Sequence, residues 1–306
     1  MSLAWITGAG GLIGSHLVRS AAAFAPGWQI RGLTRAELDL TDFDSLRRLF
    51  AEDKPRLVIH CAGLTKTAAC QQNPTLARKL NVEATEVIAD LAAEIPFFFF
   101  STDLVFDGSK GNYVETDPVN PLNVYAETKA AAEQIVLRHP GHTVLRTSLN
   151  FGSSPTGDRS FSEEMLRAAQ AGKTLRLLTD EFRCPIPAAV TAQAVWSLAL
   201  QSQPGLYHLA GAERLSRWQI GQLLAARWPQ LKPRLEPASL REYQGPPRSP
   251  DTSLNCAKLQ KVLSFQLPGF SEWLAAKASN SRLSQTLGAP ASLPARTAEN
   301  ASPENA

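Results

Sequence analysis

Residues 96–103 read Pro96-Phe97-Phe98-Phe99-Phe100-Ser101-Thr102-Asp103. Successive side chains of a strand point to opposite faces, so four phenylalanines in a row leave neither face fit for water. Pro96–Ser101 is therefore expected to be a strand covered on both sides, as in a parallel sheet flanked by helices. The surrounding sequence agrees. Leu3–Thr7, Gln29–Leu33, Arg56–Cys61 and Thr143–Arg146 are short apolar runs. Between them Leu12–Phe24, Asp42–Glu52, Asn73–Ala93 and Val124–Leu137 carry helical spacing; Leu46, Leu49 and Phe50 share one face. Strands alternating with helices predict an α/β fold, a Rossmann-type doubly wound parallel sheet. Such sheets bind ligands at the carboxyl ends of their strands. Gly8, Thr34, Cys61, Thr102 and Thr147 stand at those ends.

Beyond Asn150 the pattern loosens. Ser160–Ala171 and Arg217–Trp228 read as helices, while Thr191–Gln201 and Gly205–Leu209 read as a helix and strand returning to the sheet. Residues 1–150 with about 186–208 are thus expected to form the cofactor-binding domain, and 151–185 with 209–278 a smaller α/β substrate-binding region. Proline-rich loops are expected over Pro229–Pro250. Residues 279–306 lack an apolar period and read as a disordered tail. Trp196, Trp218 and Trp273 fit apolar helix faces; Glu115 and Asp117 read as solvated.

A net charge of +3 over 306 residues argues against a nucleic-acid or membrane surface. Cys61, Cys70, Cys184 and Cys256 form no C-x-x-C pair and no metal-spaced cluster, so free thiols, no metal and a cytoplasmic location are expected. No apolar run has the length of a signal or membrane span.

The first predicted strand ends in Gly8-x-x-Gly11-x-x-Gly14. This is not G-x-G-x-x-G, since Ile13 occupies the third glycine's place. The demands are similar: a sharp turn, close approach to a pyrophosphate, and unpaired N–H groups at a helix start. Gly8, Gly11, Leu12, Ile13 and Gly14 are the candidate contacts to a nicotinamide dinucleotide. A carboxylate at the second strand's end usually holds the ribose hydroxyls of NAD. Here Thr34-Arg35 follows, and Arg35 can pair with a 2′-phosphate, so NADP(H) is expected ahead of NAD(H). Asp39-Leu40 can contact adenine, or Asp39 can cap the next helix.

Tyr125 and Lys129 are four apart and share one face of a predicted helix. A neighbouring ammonium favours the phenolate and lowers a tyrosine's pKa. Thr102 ends an adjacent strand and can hydrogen-bond a carbonyl oxygen. Hydride transfer to a carbonyl carbon, with Tyr125 protonating the oxygen, is the chemistry this set predicts. His60, beside the cofactor turn, reads as a partly buried strand residue and not a base.

The motif set resembles that of the extended short-chain dehydrogenase/reductases, and within them the dTDP-4-dehydrorhamnose reductase family. It comprises the glycine turn, Asp39-Leu40-Thr41-Asp42, Cys61-Ala62-Gly63-Leu64-Thr65, Asn81-Val82, Ser101 to Gly108, Pro121-Leu122-Asn123-Val124-Tyr125 with Lys129, Arg146-Thr147-Ser148, Gly205-x-Tyr207-His208 and Arg248 to Leu254. The resemblance implies a 4-keto nucleotide sugar as substrate, a nicotinamide hydride donor and a step of dTDP-rhamnose biosynthesis; a homodimer is a further expectation. It also implies that Thr102, Tyr125 and Lys129 are catalytic. Cys61, Ala62 and Gly63 would line the cofactor with Thr147, Ser148, Tyr125 and Lys129. Thr102, Asp103, Val105 and Phe106 would face the substrate; Asn150, Arg183 and Arg248 are further substrate-binding candidates in this sequence.

Three stretches depart from the family's pattern: Thr147-Ser148-Leu149-Asn150-Phe151 lacks its tryptophan, Asp180 to Ile186 replaces D-Q-x-G-x-P-T, and His60-Cys61-Ala62-Gly63 replaces N-A-A-A. Arg183 is thereby a new cation, either an anion contact or half of a salt bridge. Two other functions share these motifs. One is a cofactor-binding regulatory subunit resembling that of methionine adenosyltransferase. The other is an epimerase or dehydratase, for which Asp103 is present but no Glu follows it.

Overall fold

A computed structural model describes residues 1–278 of the chain; the expected tail at 279–306 lies outside the described residues. Six strands form one all-parallel sheet: β1 (Ser2–Thr7), β2 (Trp28–Leu33), β3 (Leu57–His60), β4 (Phe97–Thr102), β5 (His142–Thr147) and, after β6 (Asn150–Phe151), β7 (Thr174–Leu178), β8 (Phe182–Arg183) and β9 (Ile186–Pro187), the sixth, β10 (Gly205–Leu209). The order is β10-β5-β4-β3-β1-β2. The chain leaves β1 toward one edge and returns beside it as β3. That reversal opens a crevice at the carboxyl ends of β1 and β3.

The four phenylalanines alternate as the sequence predicts. Phe98 and Phe100 join Ala4, Ile6, Leu57 and Ile59 under helices Leu12–Phe24 and Ala188–Gln201. Phe97 and Phe99 join Trp5, Val58 and Val144 under helices Phe43–Asp53, Ala84–Leu91 and Val124–Val136. All four rings are buried. Each contributes roughly 1.5–3 kcal/mol relative to exposure, so this strand anchors both layers at once. Its polar end, Ser101-Thr102-Asp103, emerges at the crevice side.

A further core gathers Phe151, Met165, Leu166, Ile220, Leu224 and Phe270 from residues beyond the fifth strand. Three small two-stranded pairs lie in that half: β6 with β9, β8 with β11 (Leu215–Ser216), and β7 with β12 (Arg234–Ala238). The last pair corrects the loop expected over Pro229–Pro250. Pro237 sits in β12, where a two-stranded pair leaves one edge free of ladder bonds. Two helical details also differ. Thr67–Gln72 is a helix without a side-chain cap, so nothing in its sequence announces a start. The expected long helix over 73–93 runs as Pro74–Arg78, a π-helical turn at Lys79–Glu83, and Ala84–Leu91. Asp117 is half-buried, pairs with Lys110 at 2.7 Å and accepts the Val114 N–H. Glu115 is half-buried and accepts the His208 N–H through Oε1 at 3.0 Å. Trp196 is fully buried, while Trp218 and Trp273 are half-buried.

Candidate active site

The glycine turn is held by sterics. Gly8 has φ +68°, and a Cβ there would stand 2.8 Å from the Ala62 nitrogen. A Cβ on Gly14 would reach 2.3 Å from the Gly8 carbonyl oxygen. Only glycine permits β1, the β3 end and the following helix to converge this closely. Gly11 caps that helix without a side-chain bond, and its first turn has no acidic residue. The N–H groups of Leu12 and Ile13 thus lie in an uncapped helix start whose dipole favours an anion. The residues present fit a pyrophosphate.

At the β2 end Glu37 accepts the Thr34 N–H and hydroxyl, both at 2.8 Å. Arg35 is free by comparison: its side chain is 90% exposed, with Asp39 at 3.9 Å. Asp39 does not cap the next helix. It accepts the Thr41 N–H and hydroxyl, and Asp42 is the cap, accepting the Ser45 N–H. Leu40 is buried.

His60 is fully buried, with Nδ1 2.7 Å from Thr7 Oγ1 and Nε2 3.2 Å from Thr85 Oγ1. Thr85 donates to the Asn81 carbonyl, so it accepts from Nε2–H, and Nδ1 accepts from Thr7. Thr7 Oγ1 in turn accepts the Ala62 N–H at 3.3 Å. Burial, reinforced by the Lys129 charge, pushes His60 down to about 3. The imidazole is a neutral brace for the Cys61-Ala62-Gly63 turn.

Thr102, Tyr125 and Lys129 are all buried; the Tyr125 phenol meets Thr102, and Lys129 lies one turn beyond Tyr125 on the same helix. Asn123 caps the helix carrying the latter two, accepting the Ala126 N–H. Thr102 donates to Asp103 Oδ1 at 3.1 Å and accepts the Leu104 N–H. Burial pushes the Tyr125 phenol upward; its hydrogen bond with Thr102 opposes this, and the Asp103 charge adds to it. The sequence argument had only the neighbouring ammonium and pointed the other way. Lys129 Nζ stands 3.9 Å over the Phe99 ring centroid. Burial pushes this ammonium down to about 7, against the attraction of Glu133. Burial likewise raises the Cys61 thiol.

Several residues expected to face the substrate are already committed. Asp103 Oδ2 accepts the Ser148 and Thr252 hydroxyls, each at 2.8 Å, with Arg183 Nε at 3.6 Å. Arg183 is buried, with Nη2 2.7 Å from Glu181 and Nη1 on the Phe182 carbonyl. Of its two readings, the salt bridge is the one present. Asn150 donates to Thr147 Oγ1 and the Ser148 carbonyl and accepts the Thr191 hydroxyl. Val105 and Phe106 are fully buried, Phe106 stacked on Tyr113 with centroids 4.0 Å apart. They form the wall behind the site. Arg248 grips Glu181 through two bonds of 2.9 and 2.8 Å. Burial would raise Glu181, but Arg183, Arg217 and Arg248 outweigh it and hold the carboxyl low.

A cavity of about 400 Å³ opens at this cluster, lined by Arg176, Glu181, Arg217, Tyr243 and Arg248 among others. None of Thr102, Tyr125 and Lys129 lines it; the chain before Arg248 is tied to the start of the Tyr125 helix by Asn123 Nδ2, which donates to the Pro247 carbonyl at 3.0 Å. Sequence reasoning missed Arg176, Arg217 and Tyr243, which carry no motif. It also gave Asn81 no role. Asn81 Oδ1 accepts the Leu64 N–H, and Nδ2 donates to the Leu64 carbonyl and to Thr128 Oγ1. Thr128 donates to the Tyr125 carbonyl. One amide therefore ties the cofactor-side loop to the tyrosine's helical turn, and the π-helical turn at Lys79–Glu83 is where it sits. Among the described residues no group of three or more His, Cys, Asp or Glu could hold a metal, and no helix is long and apolar enough to cross a membrane.

Comparison with known proteins gives concordant likenesses. The family model for the RmlD substrate-binding domain matches residues 2–282. A dTDP-4-dehydrorhamnose reductase of Burkholderia thailandensis is 30% identical over 285 residues, covering 86% of this chain and 93% of its own. Methionine adenosyltransferase 2 subunit beta of Xenopus laevis is 30% identical over 277 residues, covering 85% and 82%. A crystal structure of dTDP-4-dehydrorhamnose reductase from Bacillus anthracis, in complex with NADP, superposes with TM-score 0.83 at 24% identity, covering 90% of this chain and 98% of that one. It shares the fold.

Proposed function

The chain belongs to the RmlD substrate-binding domain family, and on that premise we propose that it is an NADPH-dependent reductase of a 4-keto nucleotide sugar, resembling dTDP-4-dehydrorhamnose reductase. The observation that carries the reading is the contact of buried Tyr125 with Thr102 at the β4 end, with buried Lys129 one helical turn beyond Tyr125. β4 lies in the same sheet as β1, which leads into the uncapped helix start after Gly11. In this reading 1–150 with about 186–208 hold the cofactor, and 151–185 with 209–278 hold the substrate.

NADPH, when bound, supplies the hydride. Leu12 and Ile13 offer N–H groups to its pyrophosphate, and Lys129 holds its ribose. Burial keeps Tyr125 a neutral phenol with a proton to give. As hydride reaches the carbonyl carbon, that proton passes to the carbonyl oxygen and leaves a tyrosinate. The Lys129 ammonium offsets this charge. Thr102 orients the oxygen once its hydroxyl turns from Asp103. In the cavity Arg217 is the guanidinium offered to a diphosphate, because Arg176 and Arg248 are paired with Glu242 and Glu181 and Arg248 lies over the Tyr243 ring. Asp103 and Arg183 support this wall from behind. Four free thiols suit a reducing cytoplasm, and a homodimer is the assembly this reading carries.

The test follows NADPH absorbance with dTDP-4-keto sugars. Oxidation is the expected result. Tight NADPH binding without oxidation by any sugar of a panel overturns the reductase and favours a regulatory subunit. Cofactor choice gives a second prediction. Arg35→Ala is expected to weaken NADPH about tenfold or more and NADH less than twofold, as loss of a charge-assisted phosphate contact implies. Equal losses in titrations with the two cofactors would remove Arg35 from the 2′-phosphate.

A further inference from the structure

Behind the catalytic lysine lies a buried charge pair without an assigned role. Glu133 is fully buried, one helical turn beyond Lys129 on the same face. Its carboxylate accepts the Ser101 hydroxyl and the Arg146 guanidinium, with Nε at 3.0 Å and Nη2 at 2.8 Å. Arg146 is fixed in turn by the Glu115 carbonyl and lies 5.0 Å over the Phe106 ring. Ser101 and Arg146 are paired in register on β4 and β5. The carboxylate therefore has no freedom to swing toward the lysine or away from it. The groups that act on Lys129 are His60 and Cys61 at the β3 end, Cys70 from the helix Thr67–Gln72, the Phe99 ring beneath, and Glu133. Of these Glu133 alone is a carboxylate, since His60 is neutral and both thiols are raised by burial.

We propose that Glu133, clamped by Ser101 and Arg146, is the positioning residue that keeps Lys129 a cation in an otherwise apolar site. The proposal rests on the reading of Lys129 as a cofactor contact. Burial alone drives the lysine toward neutrality, and the fixed carboxylate opposes it. Arg146 and the Ser101 hydroxyl supply the partners of that carboxylate, so the lysine's charge depends on a strand-to-helix clamp that touches neither cofactor nor substrate.

The test is NADPH affinity against pH, read by binding and not by turnover. Affinity in the wild-type protein is expected to fall as pH rises through the Lys129 titration. In Glu133→Gln the midpoint is expected to move down by about one pH unit, since an opposite charge at close range shifts a pKa by roughly 1–3. The cofactor's own phosphate titrates alike in every variant. Glu133→Asp keeps the charge and is expected to return the midpoint toward wild type, and Ser101→Ala, which removes one member of the clamp, to move it only part of the way down. Glu133→Gln strands a buried guanidinium; where it fails to fold, Glu133→Gln/Arg146→Met removes both charges, and a smaller downward move is expected, because the guanidinium's repulsion of the ammonium goes with the carboxylate's attraction. Uniformly weaker binding at an unchanged midpoint would make Glu133 merely structural and overturn the proposal. Wild-type protein that binds no NADPH would overturn the cofactor reading and this role with it.

Discussion

Tyr125→Phe is expected to lower kcat by about 10²–10⁴, the range for loss of a positioned general acid, while NADPH affinity stays within twofold. Phenylalanine fills the same buried space, and the change deletes one hydroxyl hydrogen-bonded to Thr102. The helix cap at Asn123 and the Lys129–Phe99 contact do not involve that hydroxyl. The fold is therefore expected to survive with a small change in stability. The split between turnover and binding is the diagnostic. NADPH oxidation in single-turnover mode reads the first and a fluorescence titration the second. If the variant reduces the ketone at the wild-type rate, another group delivers the proton and the mechanism above is wrong. Burial also sets an expectation for pH. Because desolvation raises the phenol, Tyr125 remains protonated through the neutral range, so an alkaline loss of binding near neutrality belongs to Lys129.

The sequence made the sheet readable because its evidence is local. Four phenylalanines in succession demand two covered faces, and Gly11 and Gly14 answer contacts with Gly8, a few residues away. Tyr125 and Lys129 were readable for the same reason, being one helical turn apart. The direction of the Tyr125 shift was not, because it comes from desolvation by elements distant in sequence. Arg183 shows the same limit. Its place in the sequence suggests an anion contact, yet Glu181 and Asp103 use it inside the protein. Whether an arginine faces a ligand or a carboxylate is decided by partners that no short motif names. Arg176, Arg217 and Tyr243 meet around one cavity from separate segments, and β12 was hidden by its proline.

Lys129→Met is expected to abolish turnover by at least about 10²-fold, as removal of a charge that stabilises the developing tyrosinate implies, and at the same time to stabilise the cofactor-free protein. The lysine titrates ordinarily at 10.5 and in the fold near 7. Each step of one in pKa is about 1.4 kcal/mol, so the buried ammonium costs the folded state up to about 5 kcal/mol at a pH where both folded and unfolded chains carry the proton. Between pH 7 and 10.5 the unfolded chain holds more protons than the folded one, so wild-type stability rises with pH across that window. Methionine carries no proton and keeps an apolar stem with a sulfur that packs well against an aromatic ring. The variant's advantage should therefore be largest below pH 7, about 2–4 kcal/mol after allowance for relaxation around the charge, and should shrink as pH climbs toward 10.5. Urea unfolding at a series of pH values reads this directly. A variant less stable than wild type at pH 6 would show that the ammonium is well solvated or well paired, and would remove the physical basis for a lysine held charged against burial. The expected opposite signs on activity and stability are what distinguish a catalytic lysine from a structural one: the fold tolerates the charge at a loss because the reaction needs it there.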